Sequence, residues 1–473
     1  KKKRIGENKM VKILDTTLRE GEQTAGVSFT VNEKMTLAKM LDNFGVDMIE
    51  VGHPNVSPKI EEFIRKVVKE GLKAEVVGHV RAVKGDVEMA VDCEVDRVAI
   101  FLATSNVHLK DKLKMTKEVA IEKVVDCVQY AKDHGLKVRY TPEDATRTDF
   151  EYLIEICNAA IDAGADRISV ADTVGVMQPH IFYDLVKKIK DNVKPVGIDV
   201  HCHNDFGLAV ANAMAGVRAG ADCVHTTVNG IGERTGIVDL SNFVVATNIL
   251  DRENLKYDLK MLKQISAYVE KITGIYIYPL MPIMGDNAFT HKSGVHTDGV
   301  LKNPSTYEPF SPEMVGKERK IIVDKFAGRR AVMSKLNQYG IKASDEDLLK
   351  IIQEIKKVGD ERKIVHETDI LDIAEKVLGV KAVTIPTGVD AVLFLRLEAH
   401  IYTTSISRKI KNMKGVEKLY EMSGDEDIAI YASLKNVAEL NNLIEDIRSI
   451  PGVLATSTRV VLKKYGEVNG NSC

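Results

Sequence analysis

What this chain lacks removes several classes of protein. Its six cysteines, at positions 93, 127, 157, 202, 223 and 473, are scattered without a Cys-x-x-Cys pair. That argues against a disulfide scaffold or a structural zinc and for a reducing, cytoplasmic setting. No apolar run approaches the ~18 residues that a membrane-spanning helix needs. Residues 1–10 are basic with no apolar segment behind them, so they read as a disordered extension, with Met10 as an alternative start. A formal net charge of −2 gives no reason to expect nucleic acid or an anionic membrane surface as a partner. No G-x-G-x-x-G follows the first strand candidate, which counts against a dinucleotide fold.

What is present is an apolar fraction of 44% in 473 residues, enough for two or three domains with real cores. From Val11 to about Leu250 one unit recurs: a short β-rich run, a polar turn, then an amphipathic helix. The strand candidates are Val11–Thr17, Asp47–Gly52, Ala74–Gly78, Arg97–Leu102, Lys137–Thr141, Arg167–Ala171, Gly197–His201 and Cys223–Val228. Eight strands alternating with helices predict an α/β chain whose first domain is a (β/α)8 TIM barrel, with an open doubly wound sheet as the alternative. The expected organisation is a catalytic barrel over 11–275, a post-barrel linker and helical subdomain over 276–388, a ferredoxin-like domain over 389–465, and a tail over 466–473.

A barrel places its chemistry at the C-terminal ends of the strands, and polar residues gather there. The first strand ends in Asp15, Arg19 and Glu20, the second in Glu50 and His53, and the third in His79 and Arg81. The fifth carries Arg139, Thr141, Glu143 and Asp144, the sixth Asp172 and Thr173, and the seventh His201 and His203. The eighth leads into Asn229-Gly230-Ile231-Gly232-Glu233-Arg234. His201 and His203 stand two residues apart, on one face of a strand. Two imidazoles on one face suit a divalent metal completed by a nearby carboxylate, or else a pair of strand-end histidines bonded to the backbone. Strand alternation turns Cys202 away from that face, where it serves packing. Oxygen and nitrogen donors alone favour Mg2+, Mn2+ or Zn2+, a Lewis acid able to chelate a 2-oxo acid, with Arg19 offsetting the substrate's charge.

Beyond Leu250 come a helix near Met261–Thr273 and a proline-bearing stretch that contains Gly285-Asp286-Asn287-Ala288-Phe289-Thr290-His291-Lys292-Ser293-Gly294-Val295-His296, read as a long functional loop. Asp324 to about Leu378 reads as helical, with Lys356 and Lys357 on a solvated face. The last unit is read as strand Ala391–His400, helix Ser405–Met413, strands Val416–Met422 and Ile428–Ser433, helix Val437–Ser449 and strand Val453–Leu462, a βαββαβ order. It has no catalytic cluster. Its loops at Thr403-Thr404-Ser405 and Ser423-Gly424-Asp425 could hold a small polar ligand or be ordinary turns.

The segments Leu14-Asp15-Thr16-Thr17-Leu18-Arg19-Glu20-Gly21-Glu22-Gln23, His201-Cys202-His203-Asn204-Asp205 and Asn229 to Arg234 resemble signatures of the isopropylmalate, homocitrate and citramalate synthases, the DRE-TIM metallolyases. Residues 285–296 and Leu301 to Glu308 resemble that family's post-barrel segment, and the final domain resembles the regulatory domain of Lrp-type proteins. The resemblance implies an acyltransferase that converts the acyl group into alkyl on transfer: acetyl-CoA adds to a 2-oxo acid and the thioester is hydrolysed. It implies Glu20, His201 and His203 as metal ligands with Asn229 as a further or neighbouring one, and Mg2+ or Mn2+ as the ion. It implies Arg19 on the oxo acid, Thr173 on its carboxylate, His296 as general base assisted by Tyr307 and Glu143, and a homodimer or higher homo-oligomer. Taken alone, His296 could equally be a loop histidine capping a turn.

His79 and Arg139 add two donors where isopropylmalate-type sequences look apolar and acidic. That suits a second carboxylate, hence 2-oxoglutarate as acceptor and homocitrate as product, expected as the first step of lysine biosynthesis by the α-aminoadipate route. Lysine is a candidate effector. The alternatives are a sister synthase using 2-oxoisovalerate or pyruvate, a metal-dependent lyase or carboxylase, and a transcriptional regulator. The last is disfavoured because no helix-turn-helix precedes the final unit.

Overall fold

The computed structural model describes residues 10–252, 256–361, 365, 367–379, 389–398, 401–423 and 426–461. The expected extension up to residue 9, the join at 380–388, loop residues 424–425, strand ends at 399–400 and 462, and the tail at 466–473 lie outside the described residues. The chain forms two compact units that divide between Ala331 and Val332, inside the segment expected as linker and helical subdomain.

In the first unit, strands β1 (Lys12–Asp15), β2 (Met48–Gly52), β3 (Glu75–Arg81), β4 (Arg97–Ala103), β5 (Lys137–Glu143), β6 (Arg167–Asp172), β7 (Gly197–Cys202) and β8 (Cys223–Thr226) close into a parallel barrel in sequence order. The open-sheet alternative is thereby overturned, since β1 pairs with β8, Leu14 opposite His225. Local chemistry starts the surrounding helices where the strands release the chain. Thr30 caps Val31–Phe44 in a capping box with Glu33, and Ser57, Thr116, Asp149 and Asp239 cap the helices after them.

Period-two alternation decides what the barrel encloses. One face of each strand meets the helices and builds the main apolar core with Ile13, Ile49, Val76, Val98, Val138, Ile168 and Val200. The other face points into the barrel. Its lower layer is apolar, formed by Leu14, Met48, Val77, Ala99 and Cys223. Above it Glu50, His79, Arg139, Asp199 and His225 are buried, in place of the branched apolar residues that commonly fill this layer.

After the barrel, helix Leu262–Thr273 forms as expected. The segment read as a long loop is more ordered: Thr290–His291 pairs with Lys320–Ile321, and Gly294–Lys302 is a helix that carries His296. Glycines at 294 and 299 and β-branched residues at 295, 297 and 300 hid it, being poor helix formers. Helices Arg329–Gln338, Asp345–Glu361 and Glu367–Leu378 match the expected helical stretch.

The second unit ends in a four-stranded antiparallel sheet, ordered Val416–Glu421, Ile428–Leu434, Val389–Leu397, Val453–Val460. Helices Thr403–Ile410 and Val437–Arg448 cover one face over a core that includes Leu393, Leu395, Ile406, Ile430, Leu443 and Ile447. The order is βαββαβ, as expected.

Candidate active site at the barrel mouth

A cavity of about 350 Å³ opens at the C-terminal ends of the strands. Among its lining residues are Arg19, Glu20, His79, Arg139, Glu143, Thr173, His201 and His203, eight of the expected site residues. At one end, donor atoms of Glu20, His201 and His203 lie within 4.8 Å of one another, and all three residues are buried. His201 sits at the end of β7, and His203 follows in an isolated bridge to Ile237, which keeps both rings aimed at one point.

The fit to a divalent ion is testable in the donors themselves. His201 Nε2 and His203 Nε2 stand 3.3 Å apart, a separation that two nitrogens each about 2.1 Å from one ion have at an angle of roughly 104°. Burial, reinforced by His203, holds His201 well below the ordinary imidazole range, and burial lowers His203 as well, so both lone pairs are free at neutral pH. Glu20 is braced from two sides: Oε2 accepts from Arg19 Nη1, and Oε1 accepts from the Glu233 backbone N–H at 3.1 Å. These three residues therefore suit a divalent metal. Asn229 does not join them. Its amide donates to Ser266 O at 3.0 Å and accepts from Ser266 Oγ at 2.5 Å, facing the helix Leu262–Thr273.

The other end of the cavity is rich in donors. Glu50 is the hub: Oε2 accepts from Arg19 Nε at 2.6 Å and Thr16 Oγ1 at 2.7 Å, and Oε1 from Arg139 Nη2 at 2.7 Å. Burial alone would raise its carboxyl, but the guanidinium groups of Arg19 and Arg139 beside it outweigh burial and hold it well below the usual range. Arg139 Nε, Thr141 Oγ1 and Ser169 Oγ are buried with no hydrogen-bond partner among the described residues. Buried polar atoms of this kind are uncommon and point to a missing ligand. His79 stacks on Phe101 at 4.6 Å and meets His53 Nδ1 at 3.4 Å; burial and the nearby Arg19 hold it well below the ordinary histidine range, hence neutral.

At the rim, Thr173 Oγ1 accepts from the Asp144 backbone N–H at 2.9 Å, and Glu143 is gripped by Lys112 at 2.6 Å. Arg234 ties the last three loops together, with two bonds to Asp205 and one to Thr173 O at 2.9 Å. The rings of His296 and Tyr307 meet at a tilt of 36°, centroids 4.2 Å apart, on an exposed surface and do not line this cavity.

Sequence reading gave no role to Glu50, Asp199, His225 or Ser169. The signal was available for three of them, because a charged or titratable residue in an apolar strand, as in Ile198-Asp199-Val200, must be paired if buried. Ser169 offered none.

Residues 10–269 match the family described as HMGL-like, 283–363 the homocitrate synthase post-HMGL domain-like family, and 390–469 the Lrp/AsnC ligand binding domain. The chain is 45% identical over 460 residues to a homocitrate synthase of Sulfurisphaera tokodaii, covering 96% of this chain and 99% of that one. It is 44% identical over 460 residues to a homocitrate synthase of Sulfolobus acidocaldarius, covering 96% and 98%. Among solved structures, the hydroxymethylglutaryl-CoA lyase of Pseudomonas aeruginosa superposes with a TM-score of 0.51 at 21% identity, over 57% of this chain and 94% of that one. The HMG-CoA lyase of Brucella melitensis gives 0.51 at 18%, over 56% and 99%. At such identities the two lyases share the fold alone. The similarity to the curated relatives runs from barrel to final domain, and by it the chain belongs to the homocitrate synthase family.

Proposed function

We propose that this chain condenses acetyl-CoA with 2-oxoglutarate to give (R)-homocitrate and CoA, entering lysine biosynthesis by the α-aminoadipate route. The observation that carries the choice of acceptor is the two-ended cavity: a carboxylate and two imidazoles converge at one end, and Arg139, whose buried Nε has no partner among the described residues, also lines the cavity. A substrate with a 2-oxo acid head and a second, distal carboxylate satisfies both ends. Arg139 is already paired with Glu50, and an apolar tail would leave its Nε without an acceptor.

Glu20, His201 and His203 would hold Mg2+ or Mn2+, and such an ion supplies Lewis acidity toward the oxo acid's head. Thr173 takes the adjacent carboxylate, while Arg139 and His79 take the distal one, His79 as a neutral N–H donor. Arg19 lies beside the ketone and stabilises negative charge on its oxygen as the new bond forms. His296 removes a proton from the acetyl methyl group, assisted by Tyr307 and Glu143, and the resulting carbon nucleophile attacks C2 of the oxo acid. The ketone oxygen gains a proton, and water then cleaves the thioester, releasing CoA. Because His296 and Tyr307 do not line the cavity of their own barrel, we assign them to the barrel of a second copy in a homodimer.

A thiol-release assay with acetyl-CoA and a panel of 2-oxoglutarate, 2-oxoisovalerate and pyruvate tests the proposal. Preference for 2-oxoglutarate supports it, and preference for either other acid returns the sister-synthase reading.

A further inference from the structure

Behind His201 lies a second cluster, Asp199, Cys223 and His225, buried in the barrel interior. Its geometry can be worked through by counting hydrogens. A neutral imidazole carries one N–H. His201 can offer Nε2 to an ion only if its hydrogen is on Nδ1, and that atom stands 3.3 Å from His225 Nδ1. His225 Nδ1 must then accept, which puts the hydrogen of His225 on Nε2. His225 Nε2 is 3.0 Å from Asp199 Oδ2, an oxygen that can only accept. The other oxygen of Asp199 takes Arg167 Nε at 2.5 Å, which fixes the carboxylate in place.

Each arrangement leaves one pair of donors opposed: the first sets Arg139 Nη1 against the Nε2–H of His225, the second fails at His201, and the reading of His201 as a metal ligand selects the first. Arg139 Nη1 lies 3.1 Å from His225 Nε2. If Nε2 accepted from it, the hydrogen of His225 would move to Nδ1 and point at the Nδ1–H of His201, donor against donor.

From this chain of donors and acceptors we infer that His225 and Asp199 are positioning residues that fix the metal-competent tautomer of His201. The inference rests on the reading of His201 as a metal ligand. Carboxylates and carbonyls commonly orient a ligating histidine directly; here a second histidine stands between. Cys223 takes no part in the chain, and with Arg167 and Arg139 beside Asp199 the cluster is already supplied with cations.

The test is Mn2+ affinity, measured by calorimetry on the full-length protein without substrates. His225→Leu removes the acceptor. His225→Asn restores it, since an amide oxygen can occupy about the place of Nδ1. Asp199→Asn keeps an oxygen but adds a donor, which can face His225 Nε2 and draw its hydrogen to Nδ1. The expected result is a roughly 10- to 100-fold weakening in His225→Leu and Asp199→Asn, with His225→Asn within about threefold of the parent. Parent-like affinity in His225→Leu would overturn the inference, and so would equal weakening in the Leu and Asn variants, which would indicate packing alone. If His225→Leu does not fold, the contrast between Asp199→Asn and His225→Asn decides in the same way. A parent that binds no Mn2+ would overturn the metal reading itself, a result distinct from failure of the relay.

Discussion

Arg139 donates Nη2–H to Glu50 Oε1 at 2.7 Å from a side chain only 1% exposed. This bond makes one residue both a structural cation and a candidate for substrate recognition. Removing one partner of such a buried pair leaves the other uncompensated, at a cost of about 3–5 kcal/mol. Arg139→Leu should therefore lose that much stability in denaturant unfolding, whereas His79→Leu, which breaks no ion pair, should lose much less. Equal losses would contradict the pairing.

Metal dependence follows from the three converging donors. Chelation should abolish activity, and Mg2+ or Mn2+ should restore it. His203→Ala should lower both metal occupancy and rate. Cys202→Ala should leave the metal bound, since Cys202 is fully buried in the outer core between strand and helices. Full turnover by metal-free enzyme would contradict the assignment.

The barrel was legible because its signals are local and repeat: a strand, a polar turn and a helix, eight times, five of the helices capped by a side chain. The His201 and His203 pair was legible for the same reason, two positions on one strand face. Glu50, by contrast, acts by joining the loop after β1 to β2 and β5, bonds that span 31 and 89 residues, and no single stretch of sequence encodes such a closure. Asn229 shows the reverse failure: the motif was recognised, but a positive φ of 61° and Ser266 turn its side chain to the neighbouring helix.

The neutral histidines of the wall predict a pH response. Burial, with Arg19 nearby, pushes His53 down to about 4 and holds His79 well below 6.5. Groups depressed in this way contribute stability that is fully present above the unfolded value near 6.5 and is lost as pH falls toward the folded value. Buried Asp15 and Asp239, each raised to about 6, act oppositely, their contribution present at low pH and lost as pH rises through about 6. The difference between parent and variant isolates the histidine. Metal-free parent should lose more stability than His79→Leu between pH 7 and pH 5 in urea unfolding. Identical slopes would contradict a buried, neutral His79.

The final domain has its own core and, among its described residues, no cluster of metal-ligating side chains, and it matches a ligand-binding family. We expect protein lacking residues 389–473 to retain some catalysis and to change its response to lysine or its assembly. A truncated enzyme with unchanged kinetics, assembly and ligand response would show that the domain has no regulatory part. Lysine inhibition that persists after truncation would place the effector at the oxo acid site instead.

Acceptor choice is the central claim, and His79 is its cleanest probe. A charge-assisted hydrogen bond to the distal carboxylate is worth about 1.5–3 kcal/mol, so His79→Leu should lower kcat/KM for 2-oxoglutarate by roughly ten- to a hundredfold. The same change should spare or improve 2-oxoisovalerate and pyruvate, which leave that donor unpaired. The deciding measurement is therefore kcat/KM for all three acids in parent and His79→Leu. A selective loss of 2-oxoglutarate turnover is the predicted result, and an equal loss for all three acids would contradict it.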